Sequence, residues 1–241
     1  MRSLPALIYG TAWKKDRTAE LVATALRLGF RAIDTACQPK HYNEAGVGEG
    51  LDRFYSESGL TRDDLFIQTK FTSVNGQDPT KYVYLFLSPP LISFTTASPM
   101  MTKHHWLTRY SPHAVMQHAV ICVNQVMQSF ERSCSNLRTG YLDSLLLHSP
   151  MSRFEDTMTV WRVFETLHRS GRVRSIGISN VYDMTTLEHL YEQADVKPAY
   201  VQNRFYAKSG YDKEIRAFCQ MHNMQYQSFW SLTANRHVMD R

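Results

Sequence analysis

Short apolar runs alternate with amphipathic stretches along most of the chain. The runs at 7–13, 31–36, 64–70, 141–149, 173–180, 199–205 and 224–230 read as strands. Between them, 18–28, 43–54, 123–137, 157–170, 184–194 and 213–222 read as helices. In the first helix Leu21, Val22, Ala25 and Leu28 share a face, and Gly29 supplies a stop. In the fourth, Trp161, Phe164 and Leu167 fall on one side and Gly171 ends it. Continuous apolar strands separated by one-faced helices predict an α/β fold, a parallel sheet covered by helices on its outer face. An open doubly wound sheet and a closed barrel satisfy this alternation equally. No GxGxxG follows the first strand, which lowers the standing of an open dinucleotide-binding sheet. The expectation is therefore a (β/α)8 TIM-type barrel, incomplete at about seven strands, with the last βα unit missing.

One segment breaks the alternation. Residues 82–109 combine a strand-like apolar run, paired prolines, a Ser/Thr cluster and a histidine pair. Loops of this length are uncommon inside a compact domain. A lid or an inserted hairpin would account for it. Our reading is sequence foreign to the parent fold, such as translated intron, for which mobility across 83–107 is the expected sign. The chain is otherwise read as one domain over 1–241.

Composition narrows the classes of function. The chain has 241 residues, close to the roughly 250 of a typical barrel. Its formal charge of +5 and pI of about 9.0 raise the question of nucleic acid or a membrane surface. No dense Lys/Arg run and no nucleic-acid motif is found, so neither partner is expected. A basic surface also suits a polyanionic dinucleotide. Cys37, Cys122, Cys134 and Cys219 form neither a CxxC pair nor a metal-ligand cluster. With no secretory leader and no long apolar span, they predict a reducing, cytoplasmic setting.

In parallel barrels the chemistry sits at the C-terminal ends of the strands. Asp34 closes the second candidate strand, Lys70 the third and His148 the fourth. Ser179 and Asn180 end the fifth, Gln202 and Asn203 the sixth, and Tyr42 follows the second. Each has an ordinary structural explanation. Asp34 and Ser179–Asn180 would serve as helix caps, Lys70 as a solvated surface charge, His148 as a satisfied core residue and Tyr42 as packing. Together they suit carbonyl reduction. Tyrosine is a reluctant acid at neutral pH, and a lysine ammonium beside it eases proton release. Asp34 would hold Lys70 charged, and His148 would orient the carbonyl.

The stretch GFRAIDTACQPKHYNEAGVGEGL at 29–51 closely resembles the aldo-keto reductase signature. FIQTKF, LDSLLLHSP, SIGISN and VQNRFY follow in the family's order, and the resemblance covers most of 4–81 and 111–232, as a fungal-like short form. It implies NADPH as cofactor, no metal, and aldehydes or ketones as small-molecule substrates. It implies a tetrad of Tyr42 as general acid, Lys70 and Asp34 lowering its pKa, and His148 orienting the substrate. Ser179, Asn180 and Gln202 match positions that hold the nicotinamide carboxamide, with Asp34 beside them. Phe229 falls where an aromatic ring stacks on the nicotinamide, with Trp230 as the neighbouring alternative. The family's later helix, eighth strand and phosphate-gripping basic residues have no match before Arg241. That departure keeps two other readings open: a barrel retained as a non-catalytic scaffold, and a defective fragment.

Overall fold

A computed structural model describes residues 5–73 and 112–236, with α3 side chains from 122 onward. The strands are β1 (Tyr9–Gly10), β2 (Ala32–Asp34), β3 (Phe66–Phe71), β4 (Ser144–Leu147), β5 (Ile176–Ser179), β6 (Tyr200–Arg204) and β7 (Gln225–Phe229). The helices are α1 (Thr18–Arg27), α2 (Glu44–Ser58), α3 (Pro112–Leu137), α4 (Phe154–Arg169), α5 (Met184–Gln193), α6 (Lys213–Met221) and the single turn α7 (Ser231–Ala234). Every strand pairs in parallel with its neighbour in chain order, β1 through β7. The result is a curled, incomplete barrel with β1 and β7 unpaired to each other among the described residues.

Sequence chemistry explains the elements. β4 and β5 are buried along their whole length, as apolar strands covered on both faces must be. Asn43 caps α2 by accepting a hydrogen bond from the Gly46 N–H at 2.9 Å, and Gly59 ends it at φ 70°. Gly48 lets α2 lie against the end of α3, because a Cβ there would collide with the Asn136 carbonyl oxygen. Between the helices and the sheet Phe130, Trp161, Phe164 and Leu167 are buried, and each contributes about 1.5–3 kcal/mol. Trp161 also donates its Nε1–H to the Val196 carbonyl at 3.0 Å, so the indole carries no buried unsatisfied donor. At the N-terminal ends of the strands Asp143 is gripped by Arg62 at 2.7 Å and Arg174 at 2.8 Å.

The structure corrects several boundaries. The ladder of β1 covers only Tyr9 and Gly10, because Trp13 turns the chain away at φ 63°. α3 begins at Pro112, well before 123. Proline suits a first helical position, where its missing N–H is no loss. α7 is an element that the sequence reading did not contain. The segment 82–109 lies outside the described residues. Among the described residues no helix is long and apolar enough to cross a membrane, and the four cysteines are buried thiols.

Candidate active site

The site is built first from β2 and β3. Their register sets Asp34 opposite Gln68, and Lys70 lies two residues further along the same face of β3. Lys70 Nζ donates to Asp34 Oδ2 at 2.6 Å and to the Thr35 carbonyl at 2.9 Å. Lys70 is only 2% exposed, which rules out the solvated surface charge. Burial pulls its pKa down, but the charges of Asp34 and Tyr42 and the bond to Asp34 outweigh this and leave it raised. Lys70 is therefore a charged ammonium inside the curl.

Tyr42 sits in the turn before α2, where its N–H donates to the Gln38 carbonyl at 3.0 Å. Its ring centroid is 5.4 Å from Lys70 Nζ and 6.1 Å from the His148 ring, edge-on. Burial raises its pKa, Lys70 opposes that, and Asp34 adds to it. The net direction is upward. This corrects the expectation that Lys70 and Asp34 together lower the tyrosine: Lys70 moderates a rise, and the direct effect of Asp34 has the opposite sign.

His148 follows β4, with its N–H bonded to the Phe71 carbonyl at 2.9 Å and Nδ1 2.6 Å from Thr72 Oγ1. Burial first, and then the Lys70 charge, lower its pKa to about 3. The imidazole is neutral at physiological pH. Thr72 engages Nδ1, and Nε2 is the other polar end of the ring.

The other wall comes from β5, β6 and β7. Ser179 Oγ donates to the Gln202 carbonyl at 2.7 Å, and Asn180 Nδ2 donates to the His148 carbonyl at 2.8 Å. Asn180 holds a left-handed backbone at φ 52°, a conformation asparagine tolerates well. It is not the cap of α5; Asp183 is, accepting from the Thr186 N–H at 2.8 Å. Arg204 lies opposite Phe229 in register and stacks on the Trp230 ring at 4.3 Å.

All these groups open into one cleft of about 830 Å³. Asp34, Tyr42, Lys70, His148, Ser179, Asn180, Gln202 and Phe229 all line it, as does Trp230. Trp13, Lys14 and Arg204 line it as well and were not singled out from sequence. Behind the wall, the Glu44 carboxylate accepts from Thr69 at 2.5 Å, Ser133 at 3.0 Å and Asn136 at 3.3 Å. Burial raises its pKa. Thr69 precedes Lys70, so this knot fixes the outer face of the strand whose inner face carries the lysine. Inside the curl Gln68 and Gln227 form a further layer that the sequence reading missed. The period of two along β3 and β7 was the available signal, since it puts Gln68 beneath Lys70 and Gln227 beneath Phe229.

A curled parallel β/α sheet with a buried lysine–aspartate pair, a tyrosine and a neutral histidine at its strand ends has the layout of a barrel enzyme. The aldo/keto reductase family pattern matches residues 6–235, and the chain belongs to that family. It is 30% identical over 220 residues to the oxidoreductase YtbE of Bacillus subtilis (strain 168), covering 91% of this chain and 60% of the relative. It is 28% identical over 227 residues to the glyoxal reductase of the same organism, covering 93% of this chain and 61% of the relative. A crystal structure of a Bombyx mori aldo-keto reductase in complex with NADP shares the fold, with a TM-score of 0.65 at 19% identity, over 95% of this chain and 63% of that one. The chain thus spans about three fifths of the length of the curated relatives it matches.

Proposed function

We propose that the chain is an NADPH-dependent oxidoreductase that reduces a small aldehyde or ketone to the alcohol, with Tyr42 as proton donor. The observation that carries this reading is the buried Lys70–Asp34 pair beside Tyr42 and a neutral His148 in one cleft. The relative named glyoxal reductase points the same way.

The residues present fit the nicotinamide end of such a cofactor. Phe229 offers an aromatic wall, and Ser179, Asn180 and Gln202 offer polar ends suited to a carboxamide. Lys14 and Arg204 bring positive charge to the cleft, and neither forms an ion pair with a described residue. Arg204 Nε is buried and has no hydrogen-bond partner among the described residues.

When bound, the reduced nicotinamide supplies a hydride to the carbonyl carbon. His148 donates a hydrogen bond to the substrate oxygen and holds the carbonyl in place. As negative charge develops on that oxygen, the Tyr42 hydroxyl gives up its proton to it. The phenolate left behind is stabilised by Lys70, which Asp34 keeps charged and fixed. Tyr42 then recovers a proton from solvent. One C–H and one O–H bond form as the carbonyl π bond is lost.

The test is an NADPH titration followed by fluorescence, paired with carbonyl-dependent NADPH oxidation in the native chain and in Tyr42→Phe. Both should bind NADPH in the micromolar range, and the variant should lose turnover by at least about 100-fold. Equal turnover would overturn the role of Tyr42. A folded native chain that fails to bind NADPH would instead favour the scaffold reading.

A further inference from the structure

Arg204 ends β6, and the alternation of the strand puts it on the face that carries Gln202, toward the cleft. Asn203 between them turns the other way and donates to Asp212 Oδ2 at 2.9 Å. The Tyr226 hydroxyl donates to the same oxygen at 2.9 Å. Asp212 is thus engaged behind the strand and supplies Arg204 with no counter-charge. The Arg204 side chain makes neither an ion pair nor a hydrogen bond with any described residue. Within the cleft Lys70 and Asp34 neutralise each other at 2.6 Å. Asp34 is the one carboxylate among the described lining residues, so the charges of Arg204 and Lys14 stand uncompensated.

The setting of Arg204 suits an oxyanion. Its guanidinium lies 4.3 Å from the Trp230 ring centroid, with Tyr206 at 5.6 Å and Phe229 at 6.0 Å. Stacking occupies the flat face of a guanidinium and leaves the N–H groups along its edge. Those groups match the paired oxygens of a carboxylate or a phosphate. Arg204 Nε has left water without a bond in return from a described residue. Ser231 Oγ, on the same wall, is likewise buried with no partner among the described residues. Trp230 holds a left-handed backbone at φ 59°, rare for a bulky residue, and strain of this kind gathers at binding sites.

We propose that Arg204, held flat over Trp230, is an anion receptor of the cleft: it takes an oxyanion, a carboxylate or a phosphate, borne by a molecule bound there. Two molecules could bring that group, a carbonyl substrate carrying an anion or the dinucleotide through one of its phosphates. The receptor stands on this geometry; only its two sources rest on the oxidoreductase reading proposed above.

The first arm of the experiment titrates inorganic pyrophosphate into the intact chain and reads tryptophan fluorescence, since Trp230 lies under the guanidinium. The native chain should respond saturably, and Arg204→Gln should weaken the binding about tenfold or more. Two further arms compare ligands that differ by the anion alone: nicotinamide mononucleotide with nicotinamide riboside, and phenylglyoxylate with its methyl ester. In at least one pair the native chain should prefer the anionic member about tenfold, and Arg204→Gln should reduce that preference below about twofold. A drop in the first pair assigns the anion to the cofactor, and a drop in the second assigns it to the substrate. Arg204→Lys keeps the charge but not the stacked fork, and should restore only part of the preference. A general loss of stability would weaken both members of a pair alike and leave their ratio unmoved. The inference is overturned by a folded native chain that does not bind pyrophosphate, or by Arg204→Gln binding it as well as the native chain does. Equal affinity of the native chain for both members of each pair overturns it too. A pyrophosphate response that depends on Arg204, with neither pyridine ligand bound, would keep the receptor and overturn the nicotinamide reading.

Discussion

The Thr72 hydroxyl lies 2.6 Å from Nδ1 of His148, a contact that ties the residue after β3 to the one after β4. It engages one ring nitrogen of the neutral imidazole and so holds the orientation of the ring. Thr72→Val keeps the shape and removes the hydroxyl. We expect kcat/KM for carbonyl reduction to fall about tenfold with NADPH affinity unchanged, as for a group that acts through His148 on the substrate alone. Steady-state kinetics beside a cofactor titration checks this, and a parallel loss of NADPH affinity would contradict it.

Lys70→Met removes the charge that moderates Tyr42. Burial already holds that phenol above its ordinary pKa, so without Lys70 it climbs further. In alcohol oxidation the phenolate must accept the proton, and the rate rises with pH through the tyrosine's pKa. The variant's rising limb should therefore move to higher pH, with turnover near neutrality reduced by at least about tenfold. An unmoved pH–rate profile would remove Lys70 from this role.

His148 makes the fold sensitive to acid. Its folded pKa of about 3 lies below the ordinary value of 6.5. Between those two values the unfolded chain takes up a proton that the folded chain refuses, so stability is lost as pH falls through this window. Urea midpoints measured across it should drop less steeply for His148→Gln than for the native chain. Identical slopes would mean that the histidine titrates normally in the fold.

Gly48 governs the seat of α2 on α3. An added methyl meets the Asn136 carbonyl, a backbone atom that cannot rotate away. Gly48→Ala should cost about 1–3 kcal/mol despite the better helix propensity of alanine, read as a lower denaturant midpoint. A neutral or stabilising effect would show that the two helices can part without penalty.

Much of this architecture was legible in the sequence because it is local. The alternation of apolar runs with one-faced helices gave all seven strands in order, and glycines 29 and 171 marked helix ends that the structure places at Arg27 and Arg169. Boundaries were less legible. α2 runs on to Ser58 through a polar stretch whose stop is the left-handed Gly59, and β1 is short because the ladder ends before Trp13. Among site residues, those at strand ends stood out because polar groups there interrupt apolar runs. Gln68, Thr72, Gln227 and Arg204 did not, since their partners are distant in the chain; Gln68 meets Gln227 across 159 positions. The raised pKa of Tyr42 was equally hidden, because a sequence shows which charges exist but not how deeply the phenol is buried.

The bonds between Gln68 and Gln227 join β3 to β7, strands that β4, β5 and β6 separate in the sheet. They act as a chord drawn across an arc. Backbone ladders tie each strand to the next and permit a range of curvatures; the chord selects one. Flattening the arc by a small angle would part the two amides while leaving every ladder intact, and the bond from Gln202 to Asp34, which spans β6 to β2, would part with them. The fitness of the cleft is thus geared to the roundness of the sheet, and it would slacken before any strand came free.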